Sequence, residues 1–142
     1  MFWRKPDKTV DERRQKATDI FNKAKTLFER GEVDAAISLS HAARDLFESA
    51  KDAEGLGRAE DLIGDILTSI GQYSYAEKAY ERATVAFKAP EDDAETFREL
   101  AEVKQYQGKR EEAIESYQKA LGLYKKLNDQ THTAQIDLYC VI

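Results

Sequence analysis

The hydrophobic residues of this chain recur at the spacing of amphipathic helices, and short polar breaks divide them into seven segments. Near the start, Val10, Ala17, Ala24 and Leu27 fall on one helical face. The pattern predicts helices at about 10–30, 33–51, 57–70, 73–89, 92–107 and 110–127, and a seventh that begins at residue 131. The stretch DAEGLG (52–57) is predicted to be a break or a loose helix start. The chain is therefore expected to be all-α.

Three of the breaks contain a glycine, and the residues around these glycines repeat. Gly31, Gly71 and Gly108 each follow a small residue by seven positions and precede alanines by five and twelve positions. The small residues are Ala24, Gly64 and Ala101 before the glycines, and Ala36, Ala76, Ala113, Ala43, Ala83 and Ala120 after them. Small side chains allow two helices to approach closely, and glycine tolerates the left-handed conformation that ends many helices. The sequence thus predicts three helical hairpins that stack, because none can bury its apolar face alone.

Two stretches of this pattern resemble the tetratricopeptide repeat, a helix–turn–helix unit of roughly 34 residues. They are LIGDILTSIGQYSYAEKAYERA (62–83) and LAEVKQYQGKREEAIESYQKAL (100–121). The first unit matches less well, because Lys23 stands where the family usually has leucine and Ser40 where it has an aromatic residue. The glycines are 40 and 37 residues apart, which is typical of a longer-period branch of the family.

The resemblance implies an α-solenoid of three hairpins with a capping helix at its C-terminal end. We expect a short flexible arm at 1–8 and a single repeat domain at 9–142. The repeats are predicted at about 10–51, 55–89 and 92–127, and the cap at 131–142. In the cap, Ala134, Leu138 and Val141 are expected to pack on the last repeat.

The composition narrows the classes of partner. The 142 residues include 27 acidic and 22 basic side chains, a net charge of −5, which argues against nucleic acid because phosphate binding needs a basic surface. Cys140 is the single cysteine, so the sequence builds neither an internal disulfide nor a zinc site. No apolar run reaches the roughly 18 residues of a membrane span. We expect a cytoplasmic protein.

The resemblance also implies where a partner would bind, since the family usually holds extended peptides on the concave face lined by the first helix of each hairpin. The register places on this face Phe21, Lys25, Phe28, Arg58, Asp61, Asp65, Glu95, Arg98, Glu102 and Gln105. Asp61 and Asp65 lie one helical turn apart, and Glu102 is expected to join them from the next unit. Because acids outnumber bases here, the hypothesis is a groove for protein segments that carry basic residues. The alternative is an ordinary solvated surface.

One variant of the family binds the C-terminal carboxylate of heat-shock chaperones through cationic and amide side chains, and this chain departs from it. Lys25 stands at a matching place, but Phe21, Leu62, Glu95 and Glu99 occupy the others. Two of these are acids, which would repel a carboxylate. Capture of a chaperone C-terminus is therefore not expected.

No pattern of catalytic, cofactor-binding or metal-ligating residues occurs in the sequence, and neither His41 nor His132 has metal-ligand spacing. The predicted function is non-catalytic binding of a protein or peptide, as an adaptor, assembly factor or chaperone. The alternative is a structural module that forms homo-oligomers through its exposed ends.

The two ends of the chain are unusually apolar. Phe2 and Trp3, next to two cations, are either an anchor for a partner or membrane surface, or they fold back onto the first hairpin. The stretch Leu138–Ile142 either belongs to the buried cap or forms a contact between two copies.

Overall fold

The chain is described here by a computed structural model that covers residues 8–128 and 130–141, with the side chains of 9–128 and 131–137. These residues form seven helices: α1 (Lys8–Glu29), α2 (Val33–Ser49), α3 (Ala53–Ser69), α4 (Tyr73–Ala86), α5 (Pro90–Tyr106), α6 (Arg110–Lys126) and α7 (Gln130–Val141). Each helix packs on the next in chain order, which confirms the predicted all-α solenoid of three hairpins and a terminal helix. In the described ranges, no helix has the length and apolar character needed to cross a membrane. Residues 1–7 of the predicted arm, with Phe2 and Trp3, lie outside the described residues, whereas Lys8, predicted to belong to the arm, begins α1.

Each hairpin turns at a glycine, as the sequence predicts. The φ angles of Gly31, Gly71 and Gly108 are +82°, +78° and +78°, a region in which a β-carbon is costly. Behind the first of them, the amide of Glu32 donates a hydrogen bond to the carbonyl of Leu27 at 2.9 Å. Equivalent bonds of the same length follow the other two glycines, so the three turns share one construction.

The small residues of the repeat lie at the contacts between helices. Ala24, Ala36, Ala43, Ala76, Ala83, Ala101 and Ala120 are fully buried. Tyr80 and Tyr117 fill the space beside them and are also buried. In the first hairpin Ser40 takes this position, and its hydroxyl donates to the Ala36 carbonyl at 2.7 Å. The prediction that the repeated positions form the core is confirmed.

Helix α3 begins at Ala53, so the glycine-containing stretch before residue 58 is the start of a regular helix and not a break. Gly55 and Gly57 lie in the first two turns of this helix. A β-carbon on Gly55 would collide with the ring of Phe47, and one on Gly57 would collide with the ring of Phe87. The two glycines allow close packing, because the ring of Phe47 lies directly on the α3 backbone at Gly55 and the ring of Phe87 at Gly57.

The links between hairpins are of two kinds. Lys51 and Asn128, which follow α2 and α6, have positive φ angles of 55° and 57°. The link between α4 and α5 is extended instead: α4 ends at Ala86, and α5 begins at Pro90. Both bounds are two or three residues earlier than the sequence predicts. Proline suits the first position of α5 because an amide there would have no partner within the helix.

Helix α7 packs on α6 and covers the third hairpin. Ile136 is fully buried in the core cluster of this hairpin, and the ring of His132 stacks on that of Tyr124 at a centroid distance of 4.6 Å. Ala134 is exposed, so its predicted contact with the array is wrong. The face of α7 that packs on the third hairpin carries Ile136 and not Ala134. The side chains from residue 138 onward lie outside the described residues.

Candidate partner-binding groove

The predicted groove contains a point where the first helices of two neighbouring hairpins meet. The Thr96 hydroxyl of α5 donates a hydrogen bond to the Asp61 carboxylate of α3 at 3.1 Å. On its other side α3 contacts α1. The helices α1, α3 and α5 therefore form one layer, and we use the word groove for the exposed face of this layer.

Three carboxyl groups come together in the groove, and we call them the carboxyl cluster: Asp61, Asp65 and Glu99. Oxygen atoms of all three lie within 4.8 Å of one another. Glu99 is only 9% exposed, and its carboxyl group is hydrogen-bonded to the carboxylates of Asp65 and Asp61. Within the described ranges, no other group of three acidic, histidine or cysteine side chains is this close.

Neighbouring hydroxyl groups hold the two aspartates of the cluster in place. The Tyr80 phenol of α4 donates to Asp65 Oδ1 at 2.6 Å, while Thr96 holds Asp61. The Tyr80 ring in turn lies against Gly64, where a β-carbon would be 2.5 Å from the nearest ring carbon. A small residue and an aromatic residue of the repeat pattern thus position a carboxylate of the groove.

Burial and mutual repulsion favour the protonated forms of the cluster. Burial, followed by the charge of Asp65, raises the pKa of Asp61 to about 7. Burial, followed by hydrogen bonding to Asp65, raises the pKa of Glu99 far above its ordinary value. Burial and the Asp65 charge also raise the pKa of Tyr80, so its phenol remains a donor. At neutral pH the cluster therefore holds a bound proton.

Glu102 does not join the two aspartates, and this detail of the sequence prediction is wrong. Glu102 Oε1 lies 2.7 Å from Arg98 Nη1 on the same helix, and Glu95 Oε1 lies 3.8 Å from Arg98 Nη2. The third carboxyl beside the aspartates is that of Glu99. It lies three residues earlier on α5, on the side of this helix that faces α3.

The predicted groove residues nearer the N-terminus have a more apolar setting. Phe21 and Phe28 are half-buried in the core, and Phe21 meets Phe47 edge to face with ring centroids 6.5 Å apart. A small cavity of about 120 Å³ between α1 and α3 is lined in part by Phe21 and Arg58. The Arg58 guanidinium is exposed and lies 2.8 Å from the Glu54 carboxylate.

The remaining two predicted groove residues are surface side chains. Lys25 is exposed on α1, and Gln105 is exposed on α5, where its Oε1 accepts a hydrogen bond from the Tyr117 phenol at 3.1 Å. The structure thus brings Asp61 and Asp65 together with a residue that the sequence does not predict, and it distributes the other candidates along the groove.

A larger cleft lies between α2 and α4, and the sequence does not predict it. It measures about 800 Å³. Glu60 of α3, which is buried, lines this outer cleft, with Arg82 Nε 3.1 Å and Arg44 Nε 4.0 Å from its carboxylate. Val85, which is 87% exposed, adds an apolar wall. The sequence shows an acid, Glu60, next to the apolar stretch of α3, but it does not indicate that two arginines lie beside this acid.

Comparison with known proteins identifies the architecture. The sequence profile of the tetratricopeptide repeat matches residues 96–131. The TPR domain of FLU from Arabidopsis superposes with a TM-score of 0.73 at 20% identity, over 80% of this chain and 98% of that one. This chain has the tetratricopeptide repeat fold.

Other solved structures share this tetratricopeptide repeat fold. The type III secretion translocator chaperone SycD of Yersinia enterocolitica has a TM-score of 0.72 at 18% identity, over 87% of each chain. The C-terminal TPR-containing domain of an FK506-binding protein of Plasmodium falciparum has a TM-score of 0.68 at 20% identity, over 95% of this chain and 92% of that domain. No curated protein matches the sequence. Tetratricopeptide repeat folds generally serve as non-catalytic scaffolds for protein–protein interaction.

Proposed function

We propose that this chain is a non-catalytic protein-binding module that holds an extended segment of a partner along the groove. The observation that carries the proposal is the carboxyl cluster. Buried carboxyl groups without a cation beside them are costly, and a structure keeps them more readily where a ligand makes use of them. We also propose that residues 9–142 act as one repeat domain.

The charge of the groove supports a partner segment that carries basic residues. Arg98 is paired with Glu102 and Glu95 on its own helix, so it does not neutralise the aspartates. Asp61 and Asp65 therefore leave an acidic centre in the groove, and farther along the same layer a small cavity has the rings of Phe21 and Phe47 among otherwise mostly polar walls. A segment with one basic and one apolar side chain in succession matches this surface.

The chemistry of the groove fits the role of an adaptor, assembly factor or chaperone. SycD, which has the same fold, is a chaperone of a type III secretion translocator. For this chain we propose binding of a protein segment without nucleic acid, cofactor or catalysis. The cytoplasmic location and the possibility of a homo-oligomer stay predictions from the sequence.

The experiment that tests this function selects ligands from a displayed library of random peptides. Peptides enriched by the wild-type chain should carry lysine or arginine, and their affinity should fall as salt is added, because screening weakens charge pairs at an exposed surface. The double variant Asp61→Lys/Asp65→Lys should lose this binding. The milder double variant Asp61→Asn/Asp65→Asn, which adds no repulsion, should weaken it and keep the fold.

A matched control reverses two exposed acids elsewhere. Glu111→Lys/Glu112→Lys on α6 changes the net charge by the same amount as the aspartate reversal, and both side chains are exposed. This control should bind the selected peptides like the wild type. If the aspartate variants bind as well as the control while circular dichroism shows intact helices, the groove is not the binding site.

Light scattering on the free chain tests the alternative, since a self-assembly module would be oligomeric without any partner.

A further inference from the structure

The outer cleft lies between the second helices of the first two hairpins, away from the layer that forms the groove. Its walls are α2 and α4, and its floor is α3. Both walls pack on α3 but not closely on each other, which leaves the space of about 800 Å³ between them. Clefts of about 300–1,000 Å³ are the usual size of ligand sites in proteins.

The charged side chains that line the outer cleft balance one another. Three are basic and three are acidic: Arg44, Lys78 and Arg82, and Glu48, Glu60 and Glu81. A charged occupant would leave one charge without a counterpart in a partly buried place, which is costly. The balance of the lining therefore favours a neutral occupant.

The ion pair on the floor of the cleft is not completed by hydrogen bonds. Glu60 is 4% exposed, and its carboxylate lies 3.1 Å from Arg82 Nε and 4.0 Å from Arg44 Nε. The first contact lacks hydrogen-bond geometry, and the second is too long for a hydrogen bond. Arg44 donates to Asp45 instead, and Arg82 makes no hydrogen bond to a described residue. A buried carboxylate and a guanidinium in one cleft thus both retain hydrogen-bonding capacity.

An apolar surface lies one helical turn from this ion pair. Leu56 precedes Glu60 by four residues on α3, and Val85 follows Arg82 by three residues on α4. Because α3 and α4 are antiparallel in one hairpin, Leu56 and Val85 lie at the same end of the cleft. Val85 is 87% exposed, more than any other large hydrophobic side chain that the structure describes. The cleft therefore has a polar part and an apolar part about 5–6 Å apart.

We propose that the outer cleft is a second binding site, which receives a partner helix that carries a glutamine and an apolar residue four positions apart. The side-chain amide donates to Glu60 and accepts from Arg82, and the apolar side chain packs on Leu56 and Val85. An amide is neutral and has a donor and an acceptor on neighbouring atoms. Glu60 would repel a carboxylate in its place, and Arg82 would repel an ammonium.

A helix suits this cleft better than an extended segment does. Amphipathic helices bind in grooves through residues three or four positions apart, which is the spacing of the two parts of the cleft. A helix also satisfies its own backbone amides, so a side-chain amide is the group it has left for Glu60 and Arg82. This site is independent of the groove, because it uses the other layer of helices.

The test uses a synthetic helical peptide and the methyl resonances of the protein. The peptide is rich in alanine, capped at both ends, and kept neutral and helical by glutamate–lysine pairs on its far face. Its near face carries leucine and glutamine four positions apart, and a second peptide has them in the reverse order. At least one of the two should shift the methyl resonances of Val85 and Leu56. Its affinity should change little as salt is added, because a neutral amide enters a balanced cleft.

Three altered peptides test the chemistry of the occupant. Glutamate or lysine in place of the glutamine should weaken binding about tenfold or more, because each leaves a charge uncompensated and one hydrogen bond unmade. Serine in place of the leucine should weaken binding about tenfold, because less apolar surface is buried.

Two protein variants test the two parts of the cleft. Val85→Ser should keep the fold, since this side chain is exposed, and weaken the peptide about tenfold. Arg82→Lys keeps a positive charge next to Glu60 but loses the planar fork of the guanidinium, so it should also weaken the peptide. Ile70→Ser is the matched control, because Ile70 is an exposed apolar residue at the other end of α3, and it should bind like the wild type.

The outcomes decide the proposal without reference to the groove. It is overturned if neither peptide shifts the methyl resonances, if Val85→Ser binds like the wild type, or if the glutamate or lysine peptide binds as tightly as the glutamine peptide. The groove variant Asp61→Asn/Asp65→Asn should bind the helical peptide normally. A loss of binding in that variant would place the peptide in the groove and overturn the second site.

Discussion

Replacing Gly64 with alanine is the most direct test of how the repeat supports the groove. A β-carbon at this position would lie 2.5 Å from Tyr80 Cε1 and 2.7 Å from Cδ1 and Cζ. Ordinary contacts between carbon atoms are about 3.5–4.0 Å long, so the ring must move by about 1 Å. Tyr80 is 2% exposed, which leaves it no free space into which to move. Its hydrogen bond to Asp65 would be strained by the same shift.

The expected loss of stability combines three effects. Overpacking of a core costs about 1–3 kcal/mol, and a lost hydrogen bond adds about 1 kcal/mol. Alanine in place of glycine in a helix returns about 1 kcal/mol. The net expectation is that Gly64→Ala lowers the free energy of unfolding by about 2 kcal/mol, from the midpoints of these ranges.

Gly122 offers a matched control in the same protein. It lies inside α6, and a β-carbon there would have no atom within 4 Å. Gly122→Ala should therefore gain stability, by about 0.5–1 kcal/mol, through helix propensity alone. Urea denaturation followed by circular dichroism measures both variants. The reasoning is refuted if Gly64→Ala is stabilised as much as Gly122→Ala, because the Tyr80 ring would then not be held against the α3 backbone.

Three further results are expected. Burial raises the pKa of Asp61 from an ordinary 3.8 to about 7, so the folded protein binds this proton more tightly than the unfolded chain does. The resulting contribution to stability is complete below pH 3.8 and is lost as the pH rises through 7. Urea denaturation should therefore show a less stable protein at about pH 8 than at about pH 5. Ile136→Ala should cost about 2–5 kcal/mol, because Ile136 is fully buried between α7 and the third hairpin; an unchanged melting temperature would mean that α7 is not a cap. Lys51→Gly should stabilise the protein by about 0.5–1 kcal/mol, because Lys51 has a φ of +55°, a region that glycine tolerates better. Chemical denaturation measures this change, and the control Lys78→Gly, which places glycine inside a helix, should lose stability.

The features that could be predicted from the sequence depend on neighbours along the chain. Glycine at the turn and alanine at the helix contacts are local requirements of a hairpin, so Gly71 and Ala76 reveal the fold without any tertiary information. Asp61 and Asp65 lie on one helix, one turn apart, so their common face follows from the helical period.

The features that could not be predicted depend on the rotation of one hairpin against the next. Glu99 and Glu102 are one turn apart on α5, and only the packing of α5 on α3 decides which of them meets the aspartates. Glu60 meets arginines from two different helices for the same reason. In α7, apolar residues lie on several faces, so the helical period does not select Ile136 over Ala134.

The junction between the second and third hairpins contains the carboxyl cluster, so its packing depends on pH. Between the first and second hairpins, the Phe47 ring lies on the Gly55 backbone, an apolar contact that carries no charge. Between the second and third, Glu99 meets Asp61 and Asp65, and this contact weakens as the carboxyl groups ionise. Once the base catalysis of exchange itself is accounted for, we expect the protection of amide hydrogens to decrease first in α5 to α7 as the solution becomes more alkaline.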